Sequence, residues 1–189
     1  MYTVCVKEIG DVWFSVAFGG DERMVASSFS YKGRKDVVAK IIESLPSGSS
    51  FTEAEPKGMA LDILRDMHLI HEGKPVEREF KFDMDRLPPF TRKVLLMTYR
   101  IPRGFAATYG GIAKAIGDEG AARAVGNVER RNPFGPIVPC HRVVGSDLGL
   151  GGYGGGYDDL DVKRAILERE GVVLIGERIS KESLWVPRG

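Results

Sequence analysis

Apolar residues in the first thirty positions recur at close to alternate places. Tyr2-Thr3-Val4-Cys5-Val6 alternates loosely, and residues 12–18 are rich in β-branched and aromatic side chains. Gly19-Gly20-Asp21-Glu22 then turns before another such run over residues 24–29, and the pattern predicts three strands. From Lys35 the spacing becomes helical, with Val37, Val38, Ile41 and Ile42 on one face and Pro46-Ser47-Gly48 as the stop. A second helix is predicted over residues 54–71, burying Ala60, Ile63, Leu64 and Met67, with Gly73 ending it. Residues 74–89 are charged, bounded by prolines and weakly periodic. They predict a linker between an N-terminal domain over residues 1–85 and a C-terminal domain over residues 86–189.

The C-terminal part opens with a helix over residues 90–99, with Phe90, Val94 and Met97 on one side and Pro102 and Gly104 beyond its end. Thr108 is placed to cap a short helix over residues 109–116, and Gly117-Asp118-Glu119-Gly120 turns into another over residues 121–130. Two short helices joined by a tight turn form a helix-turn-helix pattern, although most such hairpins merely pack. A Pro- and Gly-rich stretch follows over residues 132–156. A last helix is expected over residues 160–170, then extended tail segments over 172–175 and 179–186.

A chain of 189 residues suffices for one large domain or two small ones with cores of their own. With 27 basic and 26 acidic residues the net charge is +1, so contact with nucleic acid must come from a local patch. No apolar run is long enough to span a bilayer, and the N-terminus lacks a signal pattern. Cys5 and Cys140, far apart in sequence, do not suggest a disulfide framework. A soluble, cytoplasmic, reduced protein without membrane contact is expected. The chain has no glutamine and only two asparagines, Asn127 and Asn132, a depletion typical of thermophile proteins.

Pro139-Cys140-His141-Arg142 concentrates the candidate chemistry. A cysteine attacks as its thiolate, an imidazole can take the proton, and a neighbouring cation such as Arg142 favours the anion. Adjacent residues do not face one another on regular structure, so transfer from Cys140 to His141 needs a tight turn or a bridging water. Between residues 121 and 142 four arginines (Arg123, Arg130, Arg131, Arg142) stand against one acid, Glu129. That charge suits phosphate contacts and also lowers a thiol pKa, though a solvated helix face would look the same. Cys5, in a strand with no evident partner, reads as a small buried hydrophobe.

The segment Ile137-Val138-Pro139-Cys140-His141-Arg142-Val143-Val144 resembles the active-site signature of the O6-alkylguanine-DNA alkyltransferase family. The resemblance extends through Thr108-Tyr109, Ala121-Ala122-Arg123-Ala124-Val125-Gly126 and Asn132-Pro133. Downstream it takes in Gly152-Tyr153-Gly154-Gly155-Gly156 and Arg169-Glu170-Gly171, and so covers roughly residues 88–175. It implies irreversible transfer of an alkyl group from O6-alkylguanine in double-stranded DNA to Cys140, once per molecule, without a cofactor and as a monomer. Residue by residue it implies that His141 deprotonates Cys140 through a water, Glu170 orients His141, and Asn132 braces the turn. The Tyr109 hydroxyl donates towards an extruded guanine, whose pocket includes Val143, Tyr153 and Gly154. Arg123 is the arginine finger of a recognition helix that enters the minor groove. Ala121, Ala122, Ala124, Gly126, Asn127 and Arg130 accompany it on the DNA side, as does Arg142. The implied fold is a ribonuclease-H-like α/β domain with an antiparallel sheet, then a mainly α, winged-helix-like domain with the helix-turn-helix.

Three departures from the family pattern stand out. Gly154 replaces a common serine but keeps the backbone N–H. Glu129 replaces an apolar residue that packs against the base. Tyr157-Asp158-Asp159 looks inserted before the last helix, which bears on Glu170. Some relatives hold zinc in the N-terminal domain; with only Cys5, His68 and His71 there, no metal is expected. The competing readings are a lesion-binding protein without transfer, a Cys-His hydrolase and a transcriptional regulator. The first lacks the cysteine, the second has no use for the helix pair, and the third leaves the cysteine motif idle. Whether O4-alkylthymine is also a substrate is left open.

Overall fold

The computed structural model describes residues 1–151 and 160–188. The chain divides into two compact units. The first comprises Met1–His71, Val76–Arg86 and Pro133–Ile137; the second comprises Glu72–Pro75, Leu87–Asn132 and the chain from Val138. Among the described residues no helix is long and apolar enough to cross a membrane.

In the first unit the alternating segments form β1 (Tyr2–Ile9), β2 (Val12–Phe18) and β3 (Met24–Ser30), an antiparallel meander. Nearly every residue of β2 and β3 is buried, because helices cover both faces of the sheet. Helix α1 (Arg34–Glu43) lies on one face, where Ile41 and Leu45 pack with Val4, Ala17, Val25 and Ala26. Helix α2 (Gly58–His71) lies on the other, with His68 and His71 edge-on to Phe14 at 5.9 Å. Cys5 is buried in β1, and His71 shares a hydrogen bond with the Tyr31 hydroxyl.

Two expectations are corrected here. Ala54, the predicted start of the second helix, instead ends a strand, β4 (Phe51–Ala54), paired in parallel with β1, so the sheet is mixed rather than antiparallel. Pro56 favours an extended residue before it and Gly58 has a φ of +51°, so α2 begins only at Gly58. The α1 crossover returns the chain in the direction of β1, as a parallel pairing requires. The predicted linker is also largely structured. Met24 N–H donates to Lys81 O and Asp83 N–H to Met24 O, both at 2.8 Å, which extends the sheet beyond β3. Phe80 and Met84 are buried, Phe82 packs on Phe134 with ring centres 4.8 Å apart, and the Arg86 guanidinium donates to Val25 O. Pro133–Ile137 joins the same edge, with Ser27 N–H donating to Pro133 O at 2.8 Å.

The second unit begins with α3 (Pro89–Tyr99), whose proline occupies a first-turn position that needs no N–H partner. The short strand β5 (Ala107–Thr108) leads into α4 (Tyr109–Ala115), and the Thr108 hydroxyl caps it by accepting from Gly111 N–H at 2.9 Å. Residues 116–121 turn into α5 (Ala122–Arg130). Strand β6 (Val143–Val144) pairs in parallel with β5. Helix α6 (Leu160–Arg169) follows, then the hairpin of β7 (Leu174–Ile175) and β8 (Arg178–Ile179). One core cluster gathers Val94, Met97, Ile101, Ile112, Val125 and Val143; a second gathers Ala106, Val144, Leu150, Leu167, Val172 and Ile179. Trp185 N–H donates to Ala106 O at 2.8 Å, tying the tail to the rim of β5.

Candidate active site

Cys140–Arg142 is a single 3-10 turn closed by Arg142 N–H to Pro139 O at 2.9 Å. Asn132 braces its entry by donating from Nδ2 to Val138 O at 2.8 Å, and Cys140 N–H donates to the same carbonyl at 2.9 Å. Three residues per turn send successive side chains about 120° apart, so Cys140 and His141 diverge. His141 and Arg142 instead converge on one carboxylate. His141 Nε2 lies 2.9 Å from Glu170 Oε1, while Arg142 grips Glu170 through Nε to Oε2 and Nη2 to Oε1, both at 2.8 Å. Arg142 Nη1 also donates to Ile101 O at 2.7 Å.

The electrostatics follow from burial. Loss of water works against the Glu170 anion, but the contacts with His141 and the Arg142 guanidinium outweigh it and bring its pKa to about 2. Burial lowers the His141 pKa despite Glu170, so the ring is neutral near neutral pH. With Glu170 ionised, His141 Nε2 carries the hydrogen that meets it, and the basic lone pair is on Nδ1. Cys140 is pushed up to about 12, first by burial and then by Glu129, against hydrogen bonding from Asn132 and the charge of Lys163. At rest it is a thiol, one that needs a base when it reacts.

Arg142 departs from one expectation. Its guanidinium is held by Glu170 and Ile101 O, so its charge is set against Glu170 rather than spent on the thiol. The reason is distance in sequence: the partner lies 28 residues downstream, beyond any local charge count.

The other candidates fall into three groups. On α5, Arg123, Ala124, Asn127 and Arg130 are exposed and Ala121 and Ala122 half-buried, so two arginines and small side chains share its outer side. Gly126 is half-buried, and a β-carbon built on it would lie 3.9 Å from the Tyr109 ring. Tyr109 donates its hydroxyl to Val143 O at 3.2 Å, whereas the Val143 side chain belongs to the core. Tyr153, Gly154 and the apparent insertion at residues 157–159 lie outside the described residues.

Two buried polar residues complete the surroundings. Lys163 donates from Nζ to Val143 O and to Leu150 O, both at 2.7 Å, and burial lowers its pKa to about 8. It escaped the sequence reading, although a lysine in register with Ile166 and Leu167 on the apolar face of α6 was the available signal. Glu129 is 1 % exposed and meets Thr98 Oγ1 at 2.5 Å. It points into the protein, towards α3, and burial raises its pKa to about 8.

A buried thiol on a turn, beside a histidine held by a carboxylate and two helices from a helical hairpin, defines a class of protein with a single nucleophilic cysteine. Residues 89–172 match the family described as 6-O-methylguanine DNA methyltransferase, DNA binding domain. A methylated-DNA–protein-cysteine methyltransferase of Mycolicibacterium paratuberculosis is 39% identical over 125 residues, covering 66% of this chain and 72% of the relative. One from Thermococcus gammatolerans is 32% identical over 170 residues, covering 86% and 90%. The crystal structure of Mycobacterium tuberculosis OGT in complex with DNA superposes with a TM-score of 0.68 at 29% identity, covering 89% of this chain and 92% of that one. The chain belongs to the methylated-DNA–protein-cysteine methyltransferase family.

Proposed function

We propose that this protein repairs double-stranded DNA by moving the alkyl group of O6-alkylguanine onto Cys140, irreversibly and once per molecule. The observation that carries the reading is the Cys140 turn, whose histidine is neutral and fixed by Glu170 while the thiol stays protonated. In the reaction the Sγ–carbon bond forms as the O6–carbon bond breaks. The electron pair remains on the guanine, which takes up a proton, and the thiol proton passes to His141 Nδ1 through a bridging water. The diverging side chains of the turn require that bridge. Glu170 and Arg142 are positioning residues: the ion pair holds the ring and stabilises the imidazolium as it forms. Among the described residues nothing near Cys140 offers a route from a thioether back to a thiol, in keeping with a single turnover.

The methylated carbon is inaccessible within a base stack, so the nucleotide must be extruded, at a cost of a few kcal/mol. Exposed Arg123 on α5 fills the vacated space, and the small residues Ala121, Ala122 and Ala124 let the helix approach the groove closely. The Tyr109 hydroxyl exchanges its bond to Val143 O for the extruded base, where it opposes the charge developing on guanine. We also read the first unit as ribonuclease-H-like and the second as winged-helix-like with α4 and α5 as its helix-turn-helix. The meander followed by a helical crossover and the Thr108-capped helix pair support this reading.

A duplex with one O6-methylguanine in a methylation-sensitive restriction site tests the function. Wild-type protein should restore cleavage in proportion to protein added, and Cys140→Ala should bind the duplex without restoring it. Restoration by Cys140→Ala would exclude this residue as the acceptor.

A further inference from the structure

Helix α6 runs out at Glu170, the carboxylate that holds His141, so whatever fixes that helix end also fixes the histidine. Val172 N–H donates to Leu167 O at 2.9 Å and Gly171 N–H to Glu168 O at 3.0 Å, with Gly171 at a φ of +89°. This pair of bonds around a left-handed glycine is the Schellman arrangement, and it makes Glu170 the C-cap residue. The motif satisfies Leu167 O and Glu168 O. It leaves Arg169 O, a carbonyl of the last turn, to a donor from outside the helix.

That donor is Arg103. Its Nη2 reaches Arg169 O at 3.2 Å, while its Nε donates to Gly73 O. A cation is also the favoured charge at a helix C-terminus. Gly73, with a φ of +70°, passes so close that a β-carbon on it would lie 2.6 Å from the Arg169 carbonyl carbon. Its neighbour Glu72 meets Arg169 Nη1 at 3.1 Å, at the surface.

Together these contacts close a ring around Glu170. The carboxylate binds Arg142, and Arg142 Nη1 donates to Ile101 O at 2.7 Å. Two residues further on, Arg103 returns to the main chain beside Glu170. Gly104 follows, where a β-carbon would stand 3.4 Å from Glu170 O. Residues 101–104 therefore hold Glu170 at both ends, the carboxylate through Arg142 and the backbone through Arg103. Without the backbone grip, Glu170 and Arg142 could shift together. Their ion pair would survive, but the 2.9 Å contact with His141 Nε2 would not.

We propose that Arg103 is a positioning residue for alkyl transfer: by tying Arg169 O to Gly73 O it fixes the C-cap of α6, and with it the carboxylate that holds His141. The inference rests on the reading of His141 as the base in that reaction. A planar guanidinium suits the task because its donors meet two carbonyls in one fixed geometry, which a flexible ammonium does not provide.

The test compares wild type with Arg103→Met, Arg103→Lys and Glu72→Gln, each at a temperature well below its unfolding. The methyl-transfer rate is taken at saturating O6-methylguanine duplex, with the duplex Kd measured in parallel. Solvent exchange of the His141 Nε2 proton is followed by NMR with nitrogen-15-labelled histidine, of which the chain has three. Arg103→Met should transfer about tenfold more slowly, the scale expected when a reacting group is slightly misplaced, with Kd unchanged. Its His141 proton should exchange several-fold faster. Arg103→Lys, a milder change should the methionine variant not fold, should show the same pattern at smaller size. Glu72→Gln should behave as wild type. A wild-type rate and exchange in both Arg103 variants would overturn the proposal. So would slower transfer with unchanged His141 exchange, because the loss would then not pass through Glu170. A wild-type protein that fails to transfer, while the Arg103 variants still loosen the His141 proton, would refute the repair reading and leave the positioning role intact.

Discussion

Replacing Arg142 by methionine separates a positioning role from a DNA contact. The guanidinium is 13 % exposed and makes two bonds to Glu170 and one to Ile101 O, whereas Glu170 is 1 % exposed. Removing one partner of a buried pair leaves an uncompensated charge and costs about 3–5 kcal/mol. A second estimate comes from the carboxyl itself. Its pKa lies near 2 against an ordinary 4.5, a stabilisation of roughly 3 kcal/mol that Arg142 shares with His141. The two estimates bracket a loss of about 3 kcal/mol for Arg142→Met, measured by urea unfolding at pH 7. Because the folded pKa is depressed, the Glu170 contribution is complete above about 4.5 and is lost as pH falls towards 2. The gap between the two proteins should therefore narrow over that interval. In DNA binding, the slope of log K against log salt should be the same in both proteins, because no phosphate contact has been removed. A variant within about 1 kcal/mol of wild type, with the slope reduced by about 0.9, would refute the positioning role and restore the phosphate contact.

Three further outcomes follow from the same geometry. Glu129 keeps in the folded protein a proton that the unfolded chain releases above about 4.5, so stability falls as pH rises from there to about 8. Glu129→Gln should gain on wild type by about 3 kcal/mol between pH 5.5 and 7.5 in urea unfolding, at about 1.4 kcal/mol per unit, and a constant difference would count against a buried neutral acid. Arg123→Ala should slow transfer from duplex DNA by at least tenfold while leaving Cys140 carbamidomethylation unchanged, and an unaltered duplex rate would dismiss the finger. Thr108→Ala should cost about 1 kcal/mol through the lost cap of α4, read as a shift in urea midpoint at constant slope.

Sequence was informative where structure is set by near neighbours. The three strands of the meander, the Thr108 cap and α5 follow from alternation, a capping hydroxyl and helical spacing within a few residues. Strand β4 was missed because four residues, three of them exposed, carry little pattern, and its pairing with β1 is settled some fifty positions away. The strip over residues 76–86 looked like linker because its charges hide an alternation of Phe80, Phe82 and Met84 that becomes decisive only against β3. At the site the motif located Cys140, His141, Asn132 and Glu170. It could not assign Arg142, whose partner is distant, or reveal that Glu129 turns inward towards Thr98. Lys163 shows the same limit, since a charge on an apolar face signals a buried acceptor without naming it.

The central claim is that Cys140 itself takes the alkyl group, once. The most direct measurement is intact and peptide mass after mixing the protein with an excess of duplex carrying one O6-methylguanine. The account predicts one added methyl, confined to the Cys140 peptide, in equal amount to the guanine restored and with no second turnover. Protein that binds the lesion yet remains unmodified, or guanine restored in excess of protein, would contradict it.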